Sequence, residues 1–267
     1  MSKQSLSEYL LSSPEISDLY QRATQSQFLS LAGQGRLPTE VLSQWLSQDR
    51  LYAQAYIRFA GGLISRVRLP TRIDNQDTSR TLQWRILSLL ETAISGVTRE
   101  LRFFEETAKK YKLDLDVLGP VAEGRNLTSK SAAGFGPNNV TKSYINLFDS
   151  FTAQPQGDTS RTLLDGLVLL WATEKVYLDA WTYAKQQASE DGDGDVKGDV
   201  DGGALRKEFI PNWTSEEFQA FVKECQECLD AYAAFQDLDT EEVGAANSMA
   251  LFKKVLVLEE SFWPMVA

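Results

Sequence analysis

An all-α bundle is the fold class this sequence predicts, on three observations. Apolar residues recur at helical spacing along nearly the whole chain. The interruptions carry helix punctuation, with capping residues and prolines, and no hairpin turns. No period-two run of strand length and no internal repeat occurs. Long helices with short connections predict an up-down bundle in one domain over 1–267, with ligand sites built from side chains facing inward between helices.

In order, Ser13-Pro14 opens a first helix toward Leu31, and Leu37-Pro38 opens a second from Thr39 to Arg68, stopped by Pro70. A third helix is predicted from Thr78 to Tyr111, followed by a short element from Asp114 to Arg125. After Gly134 and Gly136, Pro137 starts a helix through Tyr144 to Phe151, and Asp158 caps a long helix reaching Lys185. Alternating Asp and Gly from Ser189 to Gly203 resemble a calcium loop. From Asp191, however, the required sixth-position Gly is Val196 and the twelfth-position Glu is Gly202. A flexible acidic surface insertion over 189–207 is the expectation, with weak adventitious cation binding at most. Thr214 with Glu217 forms a capping box for a helix to Phe235, and Asp239 to Glu242 repeats that signal before a last helix ending at Trp263.

Composition narrows the function. With 27 basic and 37 acidic side chains, the net charge of -10 opposes phosphate backbones and anionic lipid, so neither nucleic acid nor a membrane surface is an expected partner. The start, Met-Ser-Lys-Gln-Ser-Leu, lacks the apolar run of a signal peptide, and no later stretch has bilayer-spanning length, which predicts a cytoplasmic protein. The chain has no histidine, which removes the commonest general base, metal ligand and haem ligand together. Chemistry must then run on carboxylates, tyrosines, lysines or thiols. Cys225 and Cys228 form a C-x-x-C in a helical, acidic context that would raise a thiol pKa, and two further zinc ligands are missing. They read as ordinary helix residues, and no metal or cofactor is implied.

Three times a carboxylate sits three residues before an aromatic: Asp49 with Tyr52, Glu174 with Tyr177, and Glu259 with Phe262. At 3.6 residues per turn each pair shares a helix face, and those faces continue through Trp45 and Tyr56, Leu170 and Trp181, and Phe252 and Leu256. An ionised carboxylate on an apolar stripe is costly unless something neutralises it or donates hydrogen bonds. Two explanations compete. One is a shared pocket for a nitrogen-rich ligand; the other is a set of buried ion pairs with arginines such as Arg58, Arg99 or Arg102.

Gln48-Asp49-Arg50-Leu51-Tyr52, the stretch from Asn138 to Tyr144, Glu174-Lys175-Val176-Tyr177 with Trp181, and the terminal Glu259-Glu260-Ser261-Phe262-Trp263 together resemble the TenA-type thiaminase II family over residues 6 to 265. The resemblance implies a haem-oxygenase-like all-α fold, a homo-oligomer (dimer or tetramer), and hydrolysis of aminopyrimidine breakdown products of thiamin to hydroxymethylpyrimidine. It further implies that Asp49 accepts the exocyclic amine of a small pyrimidine, Tyr52 and Tyr144 sandwich the ring, Tyr177 lies one turn beyond the nucleophile, Glu259 exchanges a proton with the ring, and Phe262 completes the wall. Glu260 is the alternative to Glu259. The cysteine nucleophile of the best-known branch is replaced here by Thr173, with Glu174 beside it, which resembles a branch that uses a glutamate.

An aminopyrimidine stacks on aromatics, offers amine hydrogens to carboxylates and is activated by ring protonation. A glutamate in an aromatic pocket has its pKa raised, so one acid can start protonated while another starts as base. Glu259 is then the expected acid, and Glu174 either activates water or attacks as nucleophile. Without histidine, haem oxygenase and di-iron chemistry are disfavoured. The rival class is a non-catalytic pyrimidine-binding or interaction protein of the same fold.

Overall fold

The computed structural model describes residues 4–71, 81–117, 134–152, 161–188, 196–238 and 243–266. Among these no strand occurs and ten α-helices are joined by turns. An unexpected α1 (Leu6–Ser12) comes first, and where one helix from Ser13-Pro14 toward Leu31 is expected the chain forms a 3-10 turn (Pro14–Ile16), α2 (Ser17–Thr24) and α3 (Gln27–Gly33). Local capping sets these starts. Ser5 and Glu8 close a capping box on α1. Gln25 leaves helical geometry (φ -134°, ψ 52°), after which the Ser26 side chain accepts the Leu29 N–H and restarts the helix.

Two long helices, α4 (Thr39–Ile64) and α5 (Leu82–Tyr111), pack against each other, and Lys112 at φ 56° ends α5 in a left-handed cap. The α4 helix stops at Ile64, short of the expected Arg68, and α5 starts at Leu82 where Thr78 is expected; 72–80 lie outside the described residues. Residues 114–117 form a bend held to α4, with Ser43 Oγ accepting the Asp114 N–H and Ser47 Oγ accepting the Val117 N–H. The remainder of the expected element to Arg125 lies outside the described residues.

Asn138 caps α6 (Asn139–Asp149), and Thr162 with Asp165 forms the capping box of α7 (Leu163–Gln186). Asp158, the expected cap of α7, lies outside the described residues. A π-helical turn (Leu205–Phe209) leads into α8 (Ile210–Trp213), then α9 (Glu216–Phe235) and α10 (Val243–Phe262). The cap of α9 is Ser215, one residue later than expected, because the Thr214 hydroxyl donates back to Ile210 O at 2.7 Å.

The acidic insertion needs correction over 196–207; 189–195 and 239–242 lie outside the described residues. Asp201 is buried, and its carboxylate accepts the N–H groups of Gly203 (2.9 Å) and Leu205 (2.7 Å). Asp199 pairs with Arg206, and Gly35, at φ +66°, accepts the Val200 N–H. These aspartates cap backbone and bind arginine, so the segment is built into the fold.

The buried core gathers side chains from every helix, centred on Trp45, Trp181, Trp213, Trp263 and Phe28. Each such ring contributes roughly 1.5–3 kcal/mol through area removed from water. Close helix approach relies on Gly33, where an added Cβ would lie 1.7 Å from Ala184 O on α7.

Candidate active site

The cavity of about 680 Å³ lies between α4, α5, α7 and α9. Helical spacing on α4 points Asp49, Tyr52 and Tyr56 into it, and α7 contributes Thr173, Glu174 and Tyr177. Leu89, Ala93, Val97 and Phe103 of α5 and Phe218 and Phe221 of α9 form an apolar wall. At its rim Arg85 pairs with Glu224 (2.6 Å) and Arg99 with Glu217 (2.7 Å).

Hydroxyls and an indole, in place of cations, hold the acids inside. Tyr56 OH donates to Glu174 Oε1 at 2.5 Å, Tyr177 OH to Asp49 Oδ2 at 3.2 Å, and Trp213 Nε1 to Glu100 Oε1 at 2.6 Å. Burial, only partly offset by the Tyr56 bond, pushes the Glu174 carboxyl up to about 8. Burial likewise pushes Glu100 up to about 7 against the Trp213 bond. Asp49 is raised well above the usual range by burial, then by the charge of Glu100. Among the described residues no group of three or more acids and thiols could hold a metal ion.

The ion-pair explanation is overturned for the arginines it names. Arg58 pairs with Asp149 and Arg99 with Glu217, both at the surface, and Arg102 is exposed.

Tyr144, Glu259 and Phe262, expected on the pocket wall, do not line this cavity. They form a second nest directly behind Tyr52, whose ring meets Tyr144 edge-on at 4.9 Å and Phe262 at 5.8 Å. Tyr144 OH donates to Glu259 Oε1 at 2.5 Å, and Glu259 Oε2 is buried with no hydrogen-bond partner among the described residues. Burial pushes Glu259 up to about 7, the Tyr144 bond opposing. The neighbouring Glu260 instead pairs with Arg22 at the surface. Gln48 keys α6 to α4 here, its Oε1 accepting from Asn138 N and Thr141 Oγ1, each at 2.9 Å.

Sequence reasoning missed Glu100, Tyr56 as a glutamate partner, and Trp213. Glu100 precedes Phe103 by three residues, the spacing already noted in three other pairs. It also continues the buried stripe of Ala93, Val97 and Phe104 on α5. Both signals were legible. Cys225, distant in sequence, lies near enough to Glu174 and Tyr56 to interact electrostatically, and its buried thiol is held well above the usual range by desolvation, then by Glu174.

A TenA homologue of Pyrococcus furiosus has the same architecture, with a TM-score of 0.67 at 22% identity over 97% of this chain and 98% of that one. The fold is that of the TenA homologues. This helical, haem-oxygenase-like arrangement recurs in a putative TenA-like thiaminase of Sulfolobus solfataricus, with a TM-score of 0.61 at 16% identity over 96% and 93% of the two chains. By sequence, the chain is 23% identical to a probable bifunctional TENA-E protein of Glycine max over 92% of this chain and 87% of that protein. It is 29% identical to a probable transcription factor of Fusarium pseudograminearum, over 97% of this chain and 52% of that protein. The chain thus spans about half the length of that fungal relative. No protein-family model matches it. Among the described residues no helix is long and apolar enough to cross a membrane.

Proposed function

We propose that this TenA-fold chain hydrolyses thiamin-derived aminopyrimidines, aminopyrimidine or formylaminopyrimidine, to hydroxymethylpyrimidine, with carboxylates in place of a thiol. The observation that carries this is a cavity whose inner acids, Asp49, Glu100 and Glu174, are bonded by tyrosine and tryptophan donors. Buried acids without cations match a flat, amine-bearing, protonatable ring.

Asp49 accepts the exocyclic amine, and Tyr52 and Tyr177 flank the ring. Glu174 supplies the oxygen end of the reaction. It either takes a proton from water as that water attacks the methylene carbon, or attacks that carbon itself to form an ester that water opens. In both cases the C–N bond breaks, its electron pair leaves with nitrogen, and ammonia or formamide departs after gaining a proton. Glu259, behind Tyr52, exchanges a proton with the ring, and Tyr144 and Phe262 back the Tyr52 side of the site. Its unpartnered Oε2 supports this role, because a buried carboxyl oxygen is stabilised by a ligand that bonds to it.

A homo-oligomer, dimer or tetramer, in the cytoplasm is part of the proposal, and light scattering reads the assembly directly. The test of activity is chromatographic detection of hydroxymethylpyrimidine after incubation with aminopyrimidine, formylaminopyrimidine and thiamin separately. Release from either of the first two, and none from thiamin, is expected. Tight binding with no release from any of the three would replace the reaction by a pyrimidine-binding role.

A further inference from the structure

The cavity is larger than one six-membered ring requires, and its inner surface holds one acid more than pyrimidine recognition uses. That acid is Glu100. Its Oε1 accepts the Trp213 indole N–H at 2.6 Å, and its side chain lines the cavity. The facing groups are Asp49 on α4 and Glu174 and Tyr177 on α7, all of which interact electrostatically with Glu100. The neighbouring arginines are engaged at the rim, Arg99 by Glu217 and Arg85 by Glu224 and Glu227. A neutral substituent on the ring leaves these acids opposing one another. A cationic one compensates them in a site of low dielectric, where such pairing discriminates strongly.

We propose that Glu100 is a specificity-determining residue that reads the charge of the substituent leaving the pyrimidine, so that the cavity prefers a protonated aminomethyl group over an uncharged formamide or hydroxyl. This rests on the aminopyrimidine reading above and adds to it a substrate preference and a residue that sets it. Trp213 acts as the positioning residue, fixing one carboxylate oxygen so that the other meets the ligand. The product, which carries a hydroxyl where the substrate carried an ammonium, loses this attraction, and the same carboxylate therefore favours its release.

The test is tryptophan-fluorescence titration, read within seconds of mixing, of wild type and Glu100→Gln at pH 7.5 with two probes: 4-amino-5-aminomethyl-2-methylpyrimidine and its 5-hydroxymethyl counterpart. Glutamine keeps an oxygen for the Trp213 bond and removes the charge. The amine should bind at least tenfold more weakly to the variant, while the alcohol changes less than threefold. Equal losses for both probes, or no loss for either, would overturn the proposal. A second arm needs no variant: in wild type, the preference for amine over alcohol should grow as pH rises from 6 to 7.5, and a preference that is flat over that interval counts against Glu100. Product release is scored separately. Binding that depends on Glu100 without hydroxymethylpyrimidine formation retains the charge-reading site and discards the reaction. Hydrolysis with an unchanged probe ratio retains the reaction and discards the role of Glu100.

Discussion

Replacing Glu174 by glutamine should stabilise the protein at alkaline pH while abolishing turnover. The carboxyl titrates near 4.5 in the unfolded chain and near 8 when folded, because burial disfavours its charged form more than the Tyr56 hydroxyl favours it. Between those pH values the folded state holds the proton that the unfolded state has lost, so stability falls as pH rises and levels off above about 8. At ~1.4 kcal/mol per pH unit, the cost at pH 8 is on the order of 4 kcal/mol. Glutamine has the same shape, keeps an oxygen for Tyr56 and carries no such cost. Urea denaturation of both proteins at pH 5 and pH 8 measures this, and the advantage of Glu174→Gln over wild type should be larger at pH 8 by about 2–4 kcal/mol, the lower bound allowing for relaxation around a charged site. An equal difference at the two pH values would show that Glu174 ionises normally in the folded protein. The accompanying loss of hydrolysis would make the site an instance of function held at the expense of stability.

Removing the donor to Glu174 with Tyr56→Phe should raise the glutamate further and move the acidic limb of the kcat/KM profile to higher pH, with KM within about threefold, as read from a pH series on aminopyrimidine. Asp49→Asn should weaken pyrimidine binding by roughly 10- to 100-fold through loss of a charge-assisted hydrogen bond, measured by the thermal shift that ligand produces. Gly33→Ala should destabilise by about 2 kcal/mol or more, because its Cβ meets the Ala184 carbonyl at 1.7 Å and α3 must move off α7; calorimetry would show the lower Tm.

Helix spacing in the sequence was enough to reveal the bundle and three of the carboxylate faces, because amphipathic periodicity is a local property of each helix. Where prediction slipped, tertiary contacts decided. Ser215 and not Thr214 caps α9 because the Thr214 hydroxyl already bonds Ile210 O. The Asp- and Gly-rich run from 196 is folded because Asp199 meets Arg206 and Asp201 meets two backbone N–H groups of its own turn. Composition reports neither. Glu100 was legible by spacing, but α5 carries so many surface acids and arginines that only the partner Trp213, 113 residues on, distinguishes it.

The two acid compartments also suggest a division of labour. Asp49, Glu100 and Glu174 share the open cavity, whereas Glu259 lies with Tyr144 behind the Tyr52 ring, one oxygen unpartnered. The Tyr52 ring stands between Glu259 and the cavity acids, yet the charge of Glu259 still raises both Glu174 and Asp49, so the two compartments titrate as one coupled set. Because Glu259 is pushed to about 7 and Glu174 to about 8, the form that the proposed reaction would use has the weaker acid ionised and the stronger one protonated. That form is a minority near neutrality, because the group that must stay protonated is the one raised less. In the proposed reaction, a ligand that draws the Glu259 proton onto its ring and places an ammonium beside Glu100 and Glu174 would make that minority the bound state, joining recognition of a protonatable amine to preparation for its hydrolysis.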